Sequence, residues 1–331
     1  MKKAIFLILT IIILLFAALL LYVRYVLPNA GEMPELEVGL SAKNIDRGEY
    51  LAKQVAGCID CHSKRDHSLF ATPLITGTEG AGGEYFDQKK GFPGSYTAKN
   101  ITPYHLADWS DAELFHSITA GINKKGEALF PIMPYLNYGK LDPEDIKAII
   151  AYIRSLEPIV SEIPDSYSDF LMNFIINLMP KEPSFTKRPD PSDEIAYGEY
   201  MSTMASCADC HTPLDNGRPN AEMKFAGGQA FILPTGIAYA SNITPHQETG
   251  IGSWSKKQFI RKFKSYADYS IIPHEVQPNQ MNTSMPWFSY AGMTEVDLGA
   301  IYEYIMSLDP IDKQVVRFKT HSQVQREESA D

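Results

Sequence analysis

Two short segments of the chain each place a histidine directly after a pair of cysteines. The segments are CIDCHS (58–63) and CADCHT (207–212). Together they contain all four cysteines of the chain, which are Cys58, Cys61, Cys207 and Cys210. Such pairs can form disulfides, bind zinc, act as redox dithiols or attach a haem through thioether bonds. In the last case the histidine that follows binds the haem iron.

The context of the two cysteine pairs favours haem attachment. A zinc site needs four ligands, and each pair lies in its own copy of an internal repeat. A disulfide between cysteines so close together would constrain almost nothing. A redox dithiol usually follows a strand, whereas the segment before Cys58 has a helical pattern. We therefore predict two covalently bound haem c groups, with His62 and His211 as iron ligands.

The internal repeat extends well beyond the cysteines, and its landmarks keep the same order in both copies. They are RGEYLAKQVAGCIDCHS (47–63) with YGEYMSTMASCADCHT (197–212), YTAKNITP (96–103) with YASNITP (239–245), and FPIMPY (130–135) with TSMPWF (283–288). The separation from Met133 to Pro158 equals that from Met285 to Pro310. The chain therefore contains a duplicated domain.

A methionine followed by proline occupies the matching position in each copy. Met133 lies 72 residues after Cys61, and Met285 lies 75 residues after Cys210. Ligation by histidine and methionine raises the reduction potential of a haem, which suits electron transfer. We predict Met133 and Met285 as the second axial ligands. The histidines that we expect to be packed or at the surface are His67, His105, His116, His246 and His274.

The pattern of apolar residues predicts an all-α fold. Asp142 is placed to cap a helix whose apolar residues recur at helical spacing, and Thr294 caps its counterpart in the second copy. The Asn-Ile-Thr-Pro segments at Asn100 and Asn242 predict turns, and their side chains could hydrogen-bond a haem propionate. Loops rich in glycine and proline fill most of the remainder.

The chain divides into five predicted parts. They are an N-terminal membrane anchor (1–27), a first haem domain (44–158), a proline-rich linker with a short helix (159–192), a second haem domain (193–312) and a polar tail (313–331). We expect the apolar linker segment FLMNFIINLM (170–179) to be a buried helix between the domains, with an interfacial contact with the bilayer as the alternative, and the tail to be poorly ordered.

The N-terminal segment predicts a retained transmembrane helix. Ala4 to Val23 carry no charge, and a helix of about 20 residues spans a bilayer core. The apolar core of a cleaved signal peptide is shorter, and no convincing cleavage site follows this segment. Because Lys2 and Lys3 precede the span, we expect a single pass of the cytoplasmic membrane with the haem domains in the periplasm.

The composition is that of an acidic globular protein. The net charge is −10, and 44% of residues are hydrophobic. An acidic chain lacks the basic surface that neutralises phosphates, so nucleic acid is not an expected partner.

The order of these motifs resembles the membrane-bound cytochrome c subunits of bacterial alcohol and gluconate dehydrogenases, most closely in SNITPHQETGIGSWSKKQFIRKF (241–263). The resemblance covers about Asp46 to Pro310. It implies class I cytochrome c domains, here two in tandem behind the anchor, with haem c bound through histidine and methionine. It also implies periplasmic exposure and electron flow from a flavin- or quinoprotein dehydrogenase towards quinone or an oxidase. Members often carry three haems, whereas this chain has two CxxCH motifs.

The expected function is therefore electron transfer without a catalytic site of its own. The donor would be a dehydrogenase or a quinol-linked protein, and the acceptor another cytochrome or a terminal oxidase. The alternative is a diheme enzyme such as a cytochrome c peroxidase, which needs one iron with an open position.

Overall fold

The N-terminal apolar segment forms one continuous helix, α1 (Lys2–Tyr25), in the computed structural model. The structure describes residues 1–215, 217–267 and 273–329. At 1.5 Å per residue, α1 is about 36 Å long. Helix α1 is long and apolar enough to cross a membrane, a property that membrane anchors and signal sequences share.

The first repeat begins with α2 (Ala42–Tyr50), which continues into a π-helical turn at Leu51–Val55. Its further helices are α3 (Cys58–Cys61), α4 (Pro103–Leu106), α5 (Asp111–Ala120), α6 (Tyr135–Tyr138) and α7 (Pro143–Ser155). The predicted cap of α7 is confirmed, because the Asp142 carboxylate accepts a hydrogen bond from the Glu144 amide at 3.0 Å. Such a cap stabilises a helix by about 1 kcal/mol.

The linker contains α8 (Met172–Ile175) and a 3₁₀ turn at Ile176–Leu178. Both contact α1. Ile176 is buried, but Phe170 and Leu171 are 83% and 68% exposed. The prediction of a buried helix is therefore wrong for the outer face of this segment.

The second repeat has a similar order of helices. They are α9 (Glu194–Met204), α10 (Cys207–His211), α11 (Lys256–Lys264), α12 (Trp287–Tyr290), α13 (Glu295–Met306) and, in the tail, α14 (His321–Glu328). The predicted Thr294 cap of α13 is confirmed, because the Thr294 side chain accepts from the Asp297 amide at 3.1 Å.

Short antiparallel strands occur in both repeats. They form the sheets β1 (Tyr85–Phe86), β2 (Gly94–Thr97) and β3 (Tyr167–Ser168); β4 (Leu214–Asp215) and β5 (Arg218–Pro219); and β6 (Ala230–Leu233), β7 (Gly236–Tyr239) and β8 (Phe318–Lys319). The all-α class predicted from the sequence is thus not confirmed. Because β8 pairs with β7 and Thr320 caps α14, the tail is also more ordered than predicted.

In each repeat the first and last helices cross at a glycine. A Cβ atom on Gly48 would lie 1.8 Å from the Ala148 carbonyl oxygen, and one on Gly198 would lie 1.9 Å from that of Ala300. These glycines therefore let α2 approach α7, and α9 approach α13, closely. The helix pairs contribute to a hydrophobic cluster that includes buried residues of both repeats.

Candidate haem sites

Each cysteine pair lies in a short helix that begins at a residue in the left-handed conformation. That residue is Gly57 (φ 67°) before α3 and Ser206 (φ 53°) before α10. The change of backbone direction ends the preceding helix and starts a new one at the first cysteine. Neither pair forms a disulfide. Cys58 and Cys207 pack against the hydrophobic cluster, while Cys61 and Cys210 are exposed.

The two predicted histidine ligands have matching hydrogen bonds. His62 Nδ1 lies 2.7 Å from the Lys99 carbonyl oxygen, and His211 Nδ1 lies 2.7 Å from that of Ser241. A carbonyl oxygen only accepts, so Nδ1 carries the proton and donates. This tautomer leaves Nε2 with a free lone pair, as metal-binding histidines need. Burial also lowers the pKa of both rings, which favours the neutral form that binds a metal.

The Asn-Ile-Thr-Pro segments fix the backbone that carries these carbonyl groups. The Asn100 Oδ1 atom accepts from the Thr102 amide at 2.8 Å and from the Thr102 hydroxyl at 2.7 Å, and Asn242 and Thr244 form the same pair of bonds at 2.9 and 2.8 Å. The Asn100 amide group also donates to the Ile159 carbonyl at 2.8 Å. The predicted turns are therefore present, and their asparagine and threonine side chains hydrogen-bond to protein groups.

In each repeat, a glycine lets the chain that follows the histidine pass close to the backbone at the start of the Asn-Ile-Thr-Pro segment. The Gly82 amide donates to the His62 carbonyl at 2.8 Å, and the Gly227 amide donates to that of His211 at 2.7 Å. Both glycines have positive φ angles. A Cβ atom would lie 2.7 Å from backbone atoms at Gly82 and 2.4 Å at Gly227. Only glycine fits these two positions without a shift of the backbone.

The predicted methionine ligands lie in identical turns. The Tyr135 amide donates to the Met133 carbonyl at 2.8 Å, and the Trp287 amide donates to that of Met285 at the same distance. The intervening prolines have φ and ψ of −79° and 51°, and of −78° and 62°. These values define an inverse γ-turn. Both methionines are half-buried and precede a short helix, α6 or α12.

A tyrosine in each repeat joins the methionine segment to the cysteine segment. The Tyr138 hydroxyl donates to the Ala56 carbonyl at 2.6 Å, and the Tyr290 hydroxyl donates to that of Ala205 at 2.7 Å. Each tyrosine lies five residues after its methionine. This shared spacing is the only signal in the sequence for the hydrogen bond between the two segments, and the bond was not predicted from it.

The other histidines have separate surroundings. His67 lies 3.0 Å from Glu84, and the ring of His274 stacks on Phe70. His246 accepts from the Thr249 amide at 3.2 Å within its own turn. His105 is exposed and His116 is half-buried. These positions agree with the prediction that they are packed or surface histidines.

The donor set fits haem c better than an isolated metal ion. Within the described ranges, no three histidine, cysteine or acidic side chains gather around a possible metal position. The thiols and both Nε2 atoms are instead arranged as two copies of one motif. Tyr135, two residues after Met133, also has a buried hydroxyl without a hydrogen-bond partner in the described part of the chain. Buried hydroxyls are normally hydrogen-bonded, so this one fits a missing polar group.

Comparison with known proteins agrees with this geometry. Residues 195–309, which contain the second cysteine pair, match the cytochrome c family. The chain contains a cytochrome c domain. A cytochrome c domain implies covalently bound haem c, as predicted from the cysteine spacing.

The relatives of this chain include cytochrome c subunits of dehydrogenases, which confirms the predicted resemblance. The chain is 28% identical to the cytochrome c subunit of a quinone alcohol dehydrogenase from Gluconacetobacter polyoxogenes, over 81% of this chain and 56% of that protein. The cytochrome c subunit of gluconate 2-dehydrogenase from Pantoea cypripedii is 26% identical over 85% of this chain and 63% of that protein. A diheme cytochrome c-type protein from Cereibacter sphaeroides is 28% identical over 64% of this chain and 71% of that protein. The chain spans little more than half the length of the alcohol dehydrogenase subunit that it matches.

Proposed function

We propose that the protein is a diheme cytochrome c that transfers electrons on the periplasmic side of the cytoplasmic membrane. The two haem domains are residues 44–158 and 193–312. Electrons pass from a dehydrogenase or a quinol-linked donor to a downstream acceptor such as another cytochrome or an oxidase. The observation that carries this proposal is the matched orientation of His62 and His211, each with Nδ1 2.7 Å from a main-chain oxygen.

The roles of the side chains follow from this arrangement. The four cysteines would tether the two haems, and His62, His211, Met133 and Met285 would supply the protein ligands to the irons. Haem c bound in this way would supply one-electron chemistry. The chain holds the imidazole rings in one tautomer through the Lys99 and Ser241 carbonyls and holds the methionine segments through Tyr138 and Tyr290. With a histidine and a methionine committed to each iron, no position would be left for a substrate.

Replacing each methionine tests the ligation. The purified wild-type protein should contain two covalent haems per chain and the charge-transfer absorption of methionine bound to ferric iron. Met133→Ala and Met285→Ala should each remove about half of that absorption and lower the reduction potential of one haem, because a thioether ligand favours the reduced iron. Met281→Ala is the matched control, since Met281 is 48% exposed. Full absorption in Met133→Ala or Met285→Ala would contradict the assignment for that domain.

Peroxide turnover separates this function from the alternative enzyme. A diheme peroxidase keeps one iron accessible, and would therefore reduce hydrogen peroxide with an added electron donor. Ligation of each iron by a histidine and a methionine predicts no such turnover by the intact protein.

The proposed membrane position rests on α1 and the linker segment beside it. Phe170, Leu171 and Leu178 are exposed apolar residues, and their segment contacts α1. If α1 is retained as an anchor, these side chains lie next to the membrane surface, where exposed apolar residues are stabilised. Lys2 and Lys3, which precede the span, favour a cytoplasmic N-terminus.

The proposed dehydrogenase partner follows from the names of the relatives. The test is gentle detergent solubilisation of native membranes, followed by purification of a tagged copy and identification of the proteins that remain bound. A large flavin- or quinone-dependent dehydrogenase would support a role as its electron-accepting subunit. Oxidase subunits, or no partner, would support a tethered electron carrier instead.

A further inference from the structure

The two repeats contact each other through equivalent residues. The Tyr50 hydroxyl of the first repeat donates to the Asp297 carboxylate of the second. Conversely, the Tyr200 hydroxyl of the second repeat donates to Asp145 Oδ2 of the first at 2.8 Å. Tyr50 and Tyr200 occupy the same place in the RGEY and YGEY segments. Each repeat therefore contributes one tyrosine hydroxyl and one aspartate carboxylate to its contact with the other.

Hydrogen bonds from main-chain amides show the same reciprocity between the repeats. The Thr294 amide donates to the Tyr50 oxygen at 3.1 Å, and the Asp142 amide donates to the Tyr200 oxygen at 3.1 Å. Both amides belong to the residue that caps the last helix of a repeat. A contact in which two units use the same surface on each other has the form of an isologous interface, with a pseudo-two-fold axis between the repeats.

The cysteine segments lie at this interface. Asp60, within CIDC, accepts a hydrogen bond from the Ser289 hydroxyl at 3.2 Å. Asp209, within CADC, accepts from the Asn137 amide group at 2.9 Å. Asn137 lies on α6 and Ser289 on α12, the helices that directly follow the predicted methionine ligands. The cysteine segment of each repeat is thus bonded to the methionine helix of the other.

The cysteine segments are also fixed by further contacts. Asp60 is 8% exposed, and its carboxylate lies 3.2 Å from Arg65. Asn137 also donates to the Ser206 hydroxyl, directly before Cys207, at 3.2 Å. In addition, α6 contacts α9, and α12 contacts the π-helical turn before Cys58. The polar bonds therefore lie within a packed contact between the repeats.

We propose that this interface makes the two haems one electron-transfer unit, in which they exchange electrons directly. Asp60, Asp209, Asn137 and Ser289 are positioning residues that keep the cysteine segments together. In each exchange one electron leaves the ferrous iron of one repeat and reduces the ferric iron of the other, with no bond made or broken. This inference rests on the proposed function, because it requires a haem in each repeat.

The physical reason is the steep distance dependence of electron tunnelling. Exchange within one chain is fast only while the two tethered groups stay close. A packed and hydrogen-bonded interface holds that separation constant, whereas a flexible linker would let it vary. The contacts of Asp60 and Asp209 act on the residues between the tethering cysteines, so any opening of the interface moves the haem attachments themselves.

The test is the rate of electron exchange within the full-length protein in detergent. One haem per chain is reduced by a light pulse, and the later redistribution of the electron is followed by absorbance. The variant Asn137→Asp/Ser289→Asp puts like charges opposite Asp209 and Asp60, which disfavours the closed interface. We expect exchange to slow by about tenfold or more, which corresponds to a closed interface in about a tenth of the molecules or fewer.

The matched control is Ser322→Asp/Gln325→Asp, which adds the same charge at two exposed residues of α14. It should exchange electrons at the wild-type rate. Haem content and both midpoint potentials are measured on every sample, so that a changed driving force is not mistaken for a changed distance. Asn137→Ala/Ser289→Ala removes the bonds without added charge and serves if the charged variant does not fold.

The outcomes separate the two proposals. Slower exchange in the interface variants with both haems present supports the inference. Wild-type exchange in both interface variants, or equal slowing in the control, overturns the inference and leaves the proposed function intact. A wild-type protein without two covalent haems overturns the proposed function, and the inference with it.

Discussion

At the scale of single residues, each predicted haem site depends on main-chain oxygens. The Lys99 and Ser241 carbonyls orient His62 and His211, and Gly82 and Gly227 allow the chain to pass close to that backbone. The positions of the cysteines, histidines and methionines could be predicted from the sequence because their side chains carry the chemistry. The carbonyl groups could not, because a backbone oxygen leaves no residue-specific signal.

Replacing either glycine should disturb the histidine beside it. Gly82→Ala and Gly227→Ala force a Cβ atom into backbone that lies 2.7 or 2.4 Å away. We expect a loss of unfolding free energy well beyond the roughly 1–2 kcal/mol of a left-handed alanine, together with an altered electron paramagnetic resonance signal of one ferric haem. Chemical denaturation and the resonance spectrum measure these effects.

Gly126→Ala is the control for that experiment. Gly126 also has a positive φ, but in the described part of the chain no atom beyond its two chain neighbours lies within 4 Å of a Cβ built there. The Gly126→Ala variant should lose only the unfolding free energy that a left-handed alanine costs, and it should keep the wild-type resonance spectrum. If all three variants lose the same stability and keep the wild-type spectrum, the close approach at Gly82 and Gly227 does not orient the histidines.

At the scale of secondary-structure elements, the long periodic segments were predictable and the short ones were not. The helices behind Asp142 and Thr294 have both a cap and an apolar stripe. The strands are only two to four residues long, too short for an alternating pattern to be distinguished from a loop. The apolar linker segment was misjudged because its composition does not tell whether its outer face meets protein or lipid.

The linker segment provides the prediction at this scale. In vesicles that contain the full-length protein, a photoactivatable reagent dissolved in the lipid should label α1 and residues 170–179, because Phe170 and Leu171 face outwards beside α1. Peptide mass spectrometry locates the label. Val296, which is 60% exposed on the second repeat, should stay unlabelled. Label confined to α1 would contradict contact of the linker with the bilayer.

At the scale of the whole molecule, two buried carboxylates connect the repeats. Asp145 is 1% exposed, and its oxygens accept from Arg47 at 3.1 Å, Arg188 at 2.6 Å and Tyr200 at 2.8 Å. In the sequence, Asp145 lies in the first turn of α7, where an acidic residue supports the start of a helix. Its inward position follows from partners far along the chain, which helical spacing alone cannot reveal.

Removing the tyrosine hydroxyls should weaken this connection. Tyr50→Phe and Tyr200→Phe each remove a hydrogen bond to a charged group, typically worth about 1.5–3 kcal/mol. We expect each variant to lose a free energy of unfolding in that range, measured by chemical denaturation. Tyr104→Phe is the control, since Tyr104 is 48% exposed. A loss no larger than that of the control would contradict a role for these bonds in joining the repeats.

The reciprocal contact between the repeats has no preferred direction of its own. The contact between Asp60 and Ser289 has a counterpart between Asp209 and Asn137. If the proposed haems exchange electrons across this interface, a net direction of flow must come from what differs between the halves. Asp145 binds Arg47 and Arg188 besides Tyr200, whereas Asp297 binds Tyr197 besides Tyr50, and α1 precedes the first repeat in the chain. In the proposed diheme protein, differences of this kind would decide which haem receives electrons first.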